Sequence, residues 1–249
     1  MFCMFDIVGN RNKAVAIIEG DKKQAVEILE KYKNVKSVLK KISGREGIYR
    51  IYRMRLLAGE KNTEVVHKEY GYLLKLDPRK VYFSPREAEE RQRIAKKVRN
   101  GERILVMFSG VAPYAIAIAV KKSCEIVCVE INKKAVEYAN ENVIINRLKG
   151  EVENICADIR QVKDKIGKFD RIIMPLPETA YEFLPEAFAV AKKGAVIHLY
   201  AISSEKTMFK DIEDKISEQV NLRYKVIDKQ RVLPFGVRLW KVRIDIKVL

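Results

Sequence analysis

The 249-residue sequence predicts an α/β protein: a parallel sheet ending in an antiparallel hairpin, preceded by a small α+β unit. Three observations lead there. From Arg103 onward, short apolar runs alternate with helical patterns, as strands covered by helices on both faces do. The last two runs, Tyr224–Leu233 and Arg238–Leu249, are long and separated only by Pro234–Val237, so they must pair as an antiparallel hairpin. Before Arg103 the order is different, with strands following strands, one of them bearing a cationic face.

Taken in order, "FDIVGN" and "KAVAIIEG" read as two strands joined by a polar turn at Gly9–Asn12. "DKKQAVEILEKYKN" is a helix with Asp21 as N-cap and Ala25, Val26, Ile28 and Leu29 on its apolar side. "IYRIYRMRLLAGE" alternates apolar and basic residues, the pattern of a half-buried strand. "EVVHKEYGYLLKLD" is a strand pair, and "SPREAEERQRIAKKVRNGE" a charged helix with Ser84 as N-cap, Pro85 in its first turn and Gly101 closing it. Then strands "RILVMFSG", "EIVCVEIN", "EVENICAD", "DRIIMPLP" and "AVIHLYAI" are interleaved with helices, a further helix spans about Met208–Val220, and the hairpin follows. A domain boundary is expected near Phe83, giving a small unit at 1–83 and a larger one at 84–249.

The chain carries 49 basic and 33 acidic residues, a net charge of +16. Residues 1–100 hold 24 against 13, and the rest 25 against 20. Such an excess predicts an anionic partner, most often nucleic acid; a Lys- and Glu-rich surface of the kind found in proteins from hot environments is compatible with the same count. The cysteines are Cys3, Cys124, Cys128 and Cys156, with no Cys-x-x-Cys pair and two histidines, His67 and His198. No metal site is expected. Cys124, Cys128 and Cys156 lie in apolar runs and are expected to be buried free thiols in a reducing compartment. No apolar run reaches 18 residues, so a cytoplasmic protein without membrane contact is expected, and a monomer.

In doubly wound sheets, ligands sit at the carboxyl ends of the strands. Those ends carry Gly110 after the first strand, Glu130 after the second, and Asp158 after the third. A carboxylate at Glu130 can accept both hydroxyls of a ribose, and Asp158 can accept from an adenine amino group. Each could instead be a helix cap. The fourth strand runs into Pro175-Leu176-Pro177, a rigid wall with no polar side chain. Five parallel strands followed by a hairpin, with one glycine where a dinucleotide fold carries three, resemble the class I S-adenosylmethionine-dependent methyltransferases, a Rossmann-like fold.

"HKEYGYLLKLDPRKVYFSPREAEERQRIAKKV", "ILVMFSGVAPYAIAIA", "VEINKKAVEYANENVIINR" and "FDRIIMPLPETAYEFLPEAF" together resemble the archaeal and eukaryotic tRNA (guanine-37-N1)-methyltransferase family, from about Phe5 to the end of the chain. The resemblance implies transfer of a methyl group from S-adenosylmethionine to N1 of guanosine-37, beside the anticodon. It implies Glu90 as general base and Arg50 at the guanine O6. It implies a cofactor site of Tyr82, Arg91, Phe108, Gly110, Val111, Glu130, Ile131, Asp158, Ile159 and Pro175. It also places Arg86 near the adjacent phosphates and Pro177 beside the target base. Pro175 and Val106 stand where many relatives have Asn and Asp. The chain is expected to be a short form without the extra N-terminal domain of longer relatives, recognising the anticodon arm of tRNA. Two alternatives remain: a wyosine-pathway paralogue that methylates a modified guanosine or transfers the aminocarboxypropyl group, and a non-catalytic RNA-binding module. The chemistry is coherent in itself. Guanine N1 carries a proton that a base must remove, and charge then builds on O6, where a fixed cation lowers the barrier.

Overall fold

The computed structural model describes residues 5–249, apart from the side chains of Arg45 and Glu46. Cys3 lies outside the described residues. The chain opens with β1 (Asp6–Gly9), β2 (Ala14–Ile18), α1 (Lys22–Lys31), β3 (Val35–Glu46) and β4 (Ile51–Gly59), then a hairpin of β5 (Val65–Glu69) and β6 (Tyr72–Leu76). It continues with α2 (Ala88–Lys97), β7 (Arg103–Met107), α3 (Pro113–Ala119), β8 (Glu125–Glu130), α4 (Lys133–Ile144), β9 (Glu151–Cys156) and α5 (Ile159–Val162). It ends with β10 (Phe169–Met174), α6 (Leu184–Val190), β11 (Ala191–Ser204), α7 (Lys210–Gln219), β12 (Tyr224–Gly236) and β13 (Leu239–Val248).

β1 to β4 form a sheet in chain order, with β2 and β3 parallel around α1. Asp21 caps α1 as expected, accepting from the Gln24 amide at 2.9 Å. β3 is a strand that sequence reading passes over, because Ser37, Ser43 and Gly44 interrupt its apolar pattern. It is nonetheless central, pairing with both β2 and β4, and buries Val38 and Leu39 completely.

Among the described residues the large sheet has seven strands in the order β12-β13-β11-β10-β7-β8-β9. β11, β10, β7, β8 and β9 are parallel, while β13 enters antiparallel between β11 and β12. The expected methyltransferase architecture is therefore present. The hairpin β5–β6 packs its apolar face on α3 and α4: Leu74, Leu76 and Tyr72 share a buried cluster with Ile116, Ala135 and Tyr138.

Four local expectations are corrected. Ser84 makes no side-chain capping bond, because a 3-10 turn at Pro85–Glu87 precedes α2. α2 ends at Lys97, with Val98 extended and buried, so Gly101 belongs to the following turn. β12 runs on to Gly236, leaving Val237–Arg238 as the hairpin turn, with Arg238 at φ +55°. Cys156 is exposed, because β9 is the sheet edge; Cys124 and Cys128 are buried.

The two faces of the β10–β11–β13 region differ. One is apolar: Ile172, Ile197, Leu199, Val242, Ile244 and Ile246 pack against α6 and α7 residues such as Phe188 and Ile216. The other, beneath α2, buries Arg171, His198, Lys241, Arg243 and Asp245.

Candidate active site: a cleft at the strand ends and a chamber behind it

The carboxyl ends of β7, β8, β9 and β10 bound a cleft of about 510 Å³, walled by Phe108, Val129, Ile131, Asp158, Ile159, Leu176 and Phe183. After β7 the backbone turns sharply, with Phe108 at φ +55° and Gly110 at φ +56°. A left-handed phenylalanine is strained, and the strain turns its ring into the cleft, where it meets Phe183 edge-on at 4.9 Å.

Glu130 sits at the end of β8, its carboxylate held between two strand ends. One oxygen accepts from the Gly110 amide at 2.8 Å and the other from the Asn132 amide at 2.8 Å. Burial pushes its carboxyl above the ordinary value, opposed by these backbone donors. Asp158 caps α5 through the Arg160 amide at 2.9 Å. Its ion pair with the Arg160 side chain holds its carboxyl below the usual range. Both carboxylates are caps or braces, and both also line the cavity wall.

The small N-terminal sheet closes the cleft. The β3–β4 turn carries Gly47, Ile48, Tyr49 and Arg50 over it. Arg50, at φ +51°, pairs through its guanidinium with Glu178 in the loop after β10, and its second amine lies 3.4 Å from Thr179 Oγ1.

Beside the cleft, and sharing Arg50, Phe108, Ile131 and Leu176 with it, lies a side pocket of about 90 Å³ that adds Tyr82, Gly110, Glu130, Pro175 and Pro177 to its lining. A second chamber of about 230 Å³ shares Tyr82 and Pro177 with that side pocket. Arg86 lines it and is tied to Asp6 of β1 at 2.6 Å. So do Glu87, Tyr52, Lys241, Pro234 and Phe235.

Of the residues expected at the site, Tyr82, Phe108, Gly110, Glu130, Ile131, Asp158, Ile159, Pro175, Pro177 and Arg50 line the cleft or its side pocket, and Arg86 the chamber. Three lie behind the walls. Val111 is fully buried, its carbonyl accepting from Asn142 at 3.0 Å. Arg91 forms a bidentate pair with Glu69 (2.8 and 2.6 Å) and donates to the Ser84 carbonyl at 3.1 Å. It lies against the Phe83 ring and so braces the Tyr82–Ser84 segment from behind. Glu90 is 2% exposed; its carboxylate accepts from Tyr200 Oη at 2.8 Å, Arg243 at 2.6 Å and Arg93 at 2.7 Å.

Sequence reading missed the chamber's polar floor, Glu87 and Lys241. One signal was available: Lys241, Arg243, Asp245 and Lys247 recur at every second position of a strand that is otherwise apolar, which puts four charges on one face, the first three of them buried. A strand of that kind in the middle of a sheet needs a partner for each of those three.

Residues 65–227 match the family model for the TRM5/TYW2 methyltransferase domain. The chain belongs to this family. It is 39% identical to the tRNA (guanine(37)-N(1))-methyltransferase Trm5b of Pyrococcus abyssi, across 98% of this chain and 74% of that one. It is 35% identical to the Trm5b of Methanocaldococcus jannaschii, across 98% and 70%. A solved complex of aTrm5 and tRNALeu superposes with a TM-score of 0.87 at 31% identity, across 99% of this chain and 72% of that one. In this TRM5/TYW2 chain the family match begins at β5, so the hairpin under α3 and α4 belongs to the matched region and the β1–β4 sheet precedes it.

Proposed function

We propose that this protein transfers the methyl group of S-adenosylmethionine to N1 of guanosine-37 in tRNA. The observation that carries the reading is the row of adjoining cavities: the cleft fit for an adenosyl group shares walls with the side pocket at Glu130, and that pocket shares Tyr82 and Pro177 with a chamber sized for a base. The donor set fits the cofactor. Each Glu130 oxygen uses one lone pair on a backbone amide and has a second for a ribose hydroxyl. Asp158 can accept from the adenine amino group, and Phe108, Ile131, Ile159 and Pro175 form the apolar walls that such sites use. S-adenosylmethionine supplies an electrophilic methyl group.

The chain's own residues supply the rest. Arg50 and its partner Glu178 close the cleft across the two units and exclude water. Arg86 faces the phosphates beside the target nucleotide. Pro177 and Tyr82 shape the passage between cofactor and base. Proton removal from N1 falls to a carboxylate of the Ser84–Arg91 segment, which the family resemblance assigns to Glu90. A division near residue 83 into an RNA-contacting unit and a catalytic unit accounts for the basic excess of residues 1–100. The protein acts as a monomer in the cytoplasm on the anticodon arm. Within the described residues, no helix is long and apolar enough to cross a membrane.

The test is incubation with labelled S-adenosylmethionine and unmodified tRNA, followed by nucleoside analysis. 1-Methylguanosine at position 37 is expected. An aminocarboxypropyl adduct, or cofactor binding without product, overturns the reading.

A further inference from the structure

β11 runs on to Ser204, five residues past Leu199, where its pairing with β10 ends at Met174, and β13 pairs with it out to Leu239. At the rise of a strand, the β12–β13 hairpin tip therefore stands about 17 Å beyond the end of β10, on the edge of the sheet that carries the cleft. The arm borders the chamber: Leu233, Pro234 and Phe235 of β12 belong to its lining. The tip itself is apolar and open to solvent. Phe235 is 36% exposed, Val237 90% and Leu239 38%. Arg238 adds a cation in the turn, at φ +55°, with its carbonyl accepting from the Glu205 amide at 2.8 Å. An apolar cluster on a projecting hairpin lowers solubility and adds little to the core, so it marks a contact surface. Phe235 makes that cluster continuous with the chamber, a continuity that a surface for a protein partner does not require. The wall that the N-terminal sheet gives to the same chamber is built alike, with the Lys41 ammonium 4.8 Å from the centre of the Tyr52 ring. Rings beside cations suit unpaired nucleotides, each of which offers a base to stack and a phosphate to pair.

We propose that the β12–β13 hairpin tip is the docking surface for a nucleotide adjacent to the target guanosine, with Phe235 as the platform on which its base stacks and Arg238 as the cation for its phosphate. This rests on the function proposed above. A guanine turned into the chamber leaves the stack of its loop, and its neighbour loses a stacking partner. Phe235, at the mouth of the chamber, takes that partner's place, while Val237 and Leu239 pack beside the ring. Stacking needs only the face of a base, so the tip holds the loop without reading which base the neighbour is.

The experiment measures the tRNA affinity of wild type, Phe235→Ala, Phe235→Trp and Val237→Ser, using unmodified tRNA and two versions abasic at the nucleotide before or after guanosine-37. Thermal melting and S-adenosylmethionine affinity are read alongside and should stay at the wild-type level. On intact tRNA, Phe235→Ala should bind at least about 10-fold more weakly, the scale of one base stacked on an aromatic ring, and Phe235→Trp should bind like wild type. On one of the abasic tRNAs, wild type and Phe235→Ala should bind alike, because the base that the ring meets is gone. Val237 is so exposed that its replacement by serine leaves folding intact, and it should weaken binding by about threefold through lost apolar contact. Phe235→Ala and Val237→Ser both at wild-type affinity overturn the proposal, as does a Phe235→Ala loss that persists in full on both abasic tRNAs. A wild-type dimer in sedimentation that Val237→Ser disperses at unchanged tRNA affinity overturns it in favour of contact between two copies. Affinity is read without turnover, so absent coupling in a protein that methylates guanosine-37 sinks this inference alone; absent methylation sinks the function and this inference with it.

Discussion

The cofactor cleft and the charged layer beneath α2 both bury carboxylates, but they hold them by different means. In the cleft, Glu130 is gripped by two backbone amides. In the layer, side chains hold side chains. Arg243 joins Glu90 at 2.6 Å, Asp245 at 2.7 Å and Asp228 at 2.8 Å, and Lys97 bridges Asp228 and Asp245. His198 links Asp245 to Arg171, which in turn pairs with Glu102. A group anchored by backbone can be removed without stranding a charge. A member of a side-chain network cannot, since its partners stay buried. The cleft should therefore tolerate substitution in stability and fail in binding, and the layer should do the reverse.

The largest expected effect follows from Arg243. Arg243→Met removes the cation that Glu90 and Asp245 share, leaving Glu90 only Arg93 and Asp245 only Lys97 and His198, and should cost about 3–5 kcal/mol, read from urea unfolding curves. A loss under about 1 kcal/mol would mean that water or Lys97 compensates and that the layer behaves like a surface network.

Next comes Glu130→Ala. It should weaken S-adenosylmethionine binding by about 1.5–3 kcal/mol, the scale of a hydrogen bond to a charged group, with little change in melting temperature. Unchanged affinity in titration calorimetry would leave Glu130 as a brace between β7 and β8 and nothing more.

The pH dependence of stability sharpens the contrast further. Arg171 donates to Nε2 of His198 at 2.7 Å, so Nε2 bears a lone pair and Nδ1 carries the hydrogen donated to Asp245. The ring is neutral, and burial lowers its pKa below 6.5, with the guanidinium groups of Arg171 and Arg243 acting in the same direction and Asp245 against it. The unfolded chain gains a proton as pH falls through 6.5 and the folded ring does not, so stability drops below that pH, by up to about 1.4 kcal/mol per pH unit. His67, also lowered by burial, adds a second increment of the same sign. Asp245 works lower. Burial raises its carboxyl, but the His198 bond and the Arg243 charge hold it well below 3.8, so its contribution is present above that value and fades beneath it. His198→Gln should roughly halve the slope of unfolding free energy between pH 6.5 and 5.5; an unaltered slope would place the titration elsewhere.

The smallest effect is expected at Cys156. It is exposed on the edge strand, and Cys156→Ser should shift stability by no more than about 0.5 kcal/mol. Thiol labelling of the folded protein should reach Cys156 well before Cys124 or Cys128.

The cleft was legible in sequence because a parallel sheet brings successive strand ends to one edge. Gly110, Glu130 and Asp158 needed only the correct strand assignment to converge. The chamber was not legible, because its floor joins Glu87 to Lys241, more than 150 positions apart, across a helix turn and an inserted strand. Glu87, Glu89 and Glu90 look alike as letters, yet Glu87 meets a cavity, Glu89 meets Tyr70 near the surface, and Glu90 meets the buried Arg243. Arg91 shows the same limit: helical phase around α2 turns it toward Glu69, a partner that the letters around it do not reveal.

By itself the sequence determined the order of strands and helices, β3 and the short α5 apart, the parallel sheet with its terminal hairpin, and the carboxylates at the strand ends. These follow from local periodicity, turn chemistry and chirality, which act over a few residues. Only the tertiary structure decided which charge faces a cavity and which is sealed inside. That choice depends on β13 entering between β11 and β12, which buries Lys241, Arg243 and Asp245 under α2 and gives each a partner distant in the chain. Long-range pairs such as Glu87–Lys241, Glu90–Arg243 and Lys97–Asp245 are properties of packing, and no local stretch of sequence contains both members of any of them.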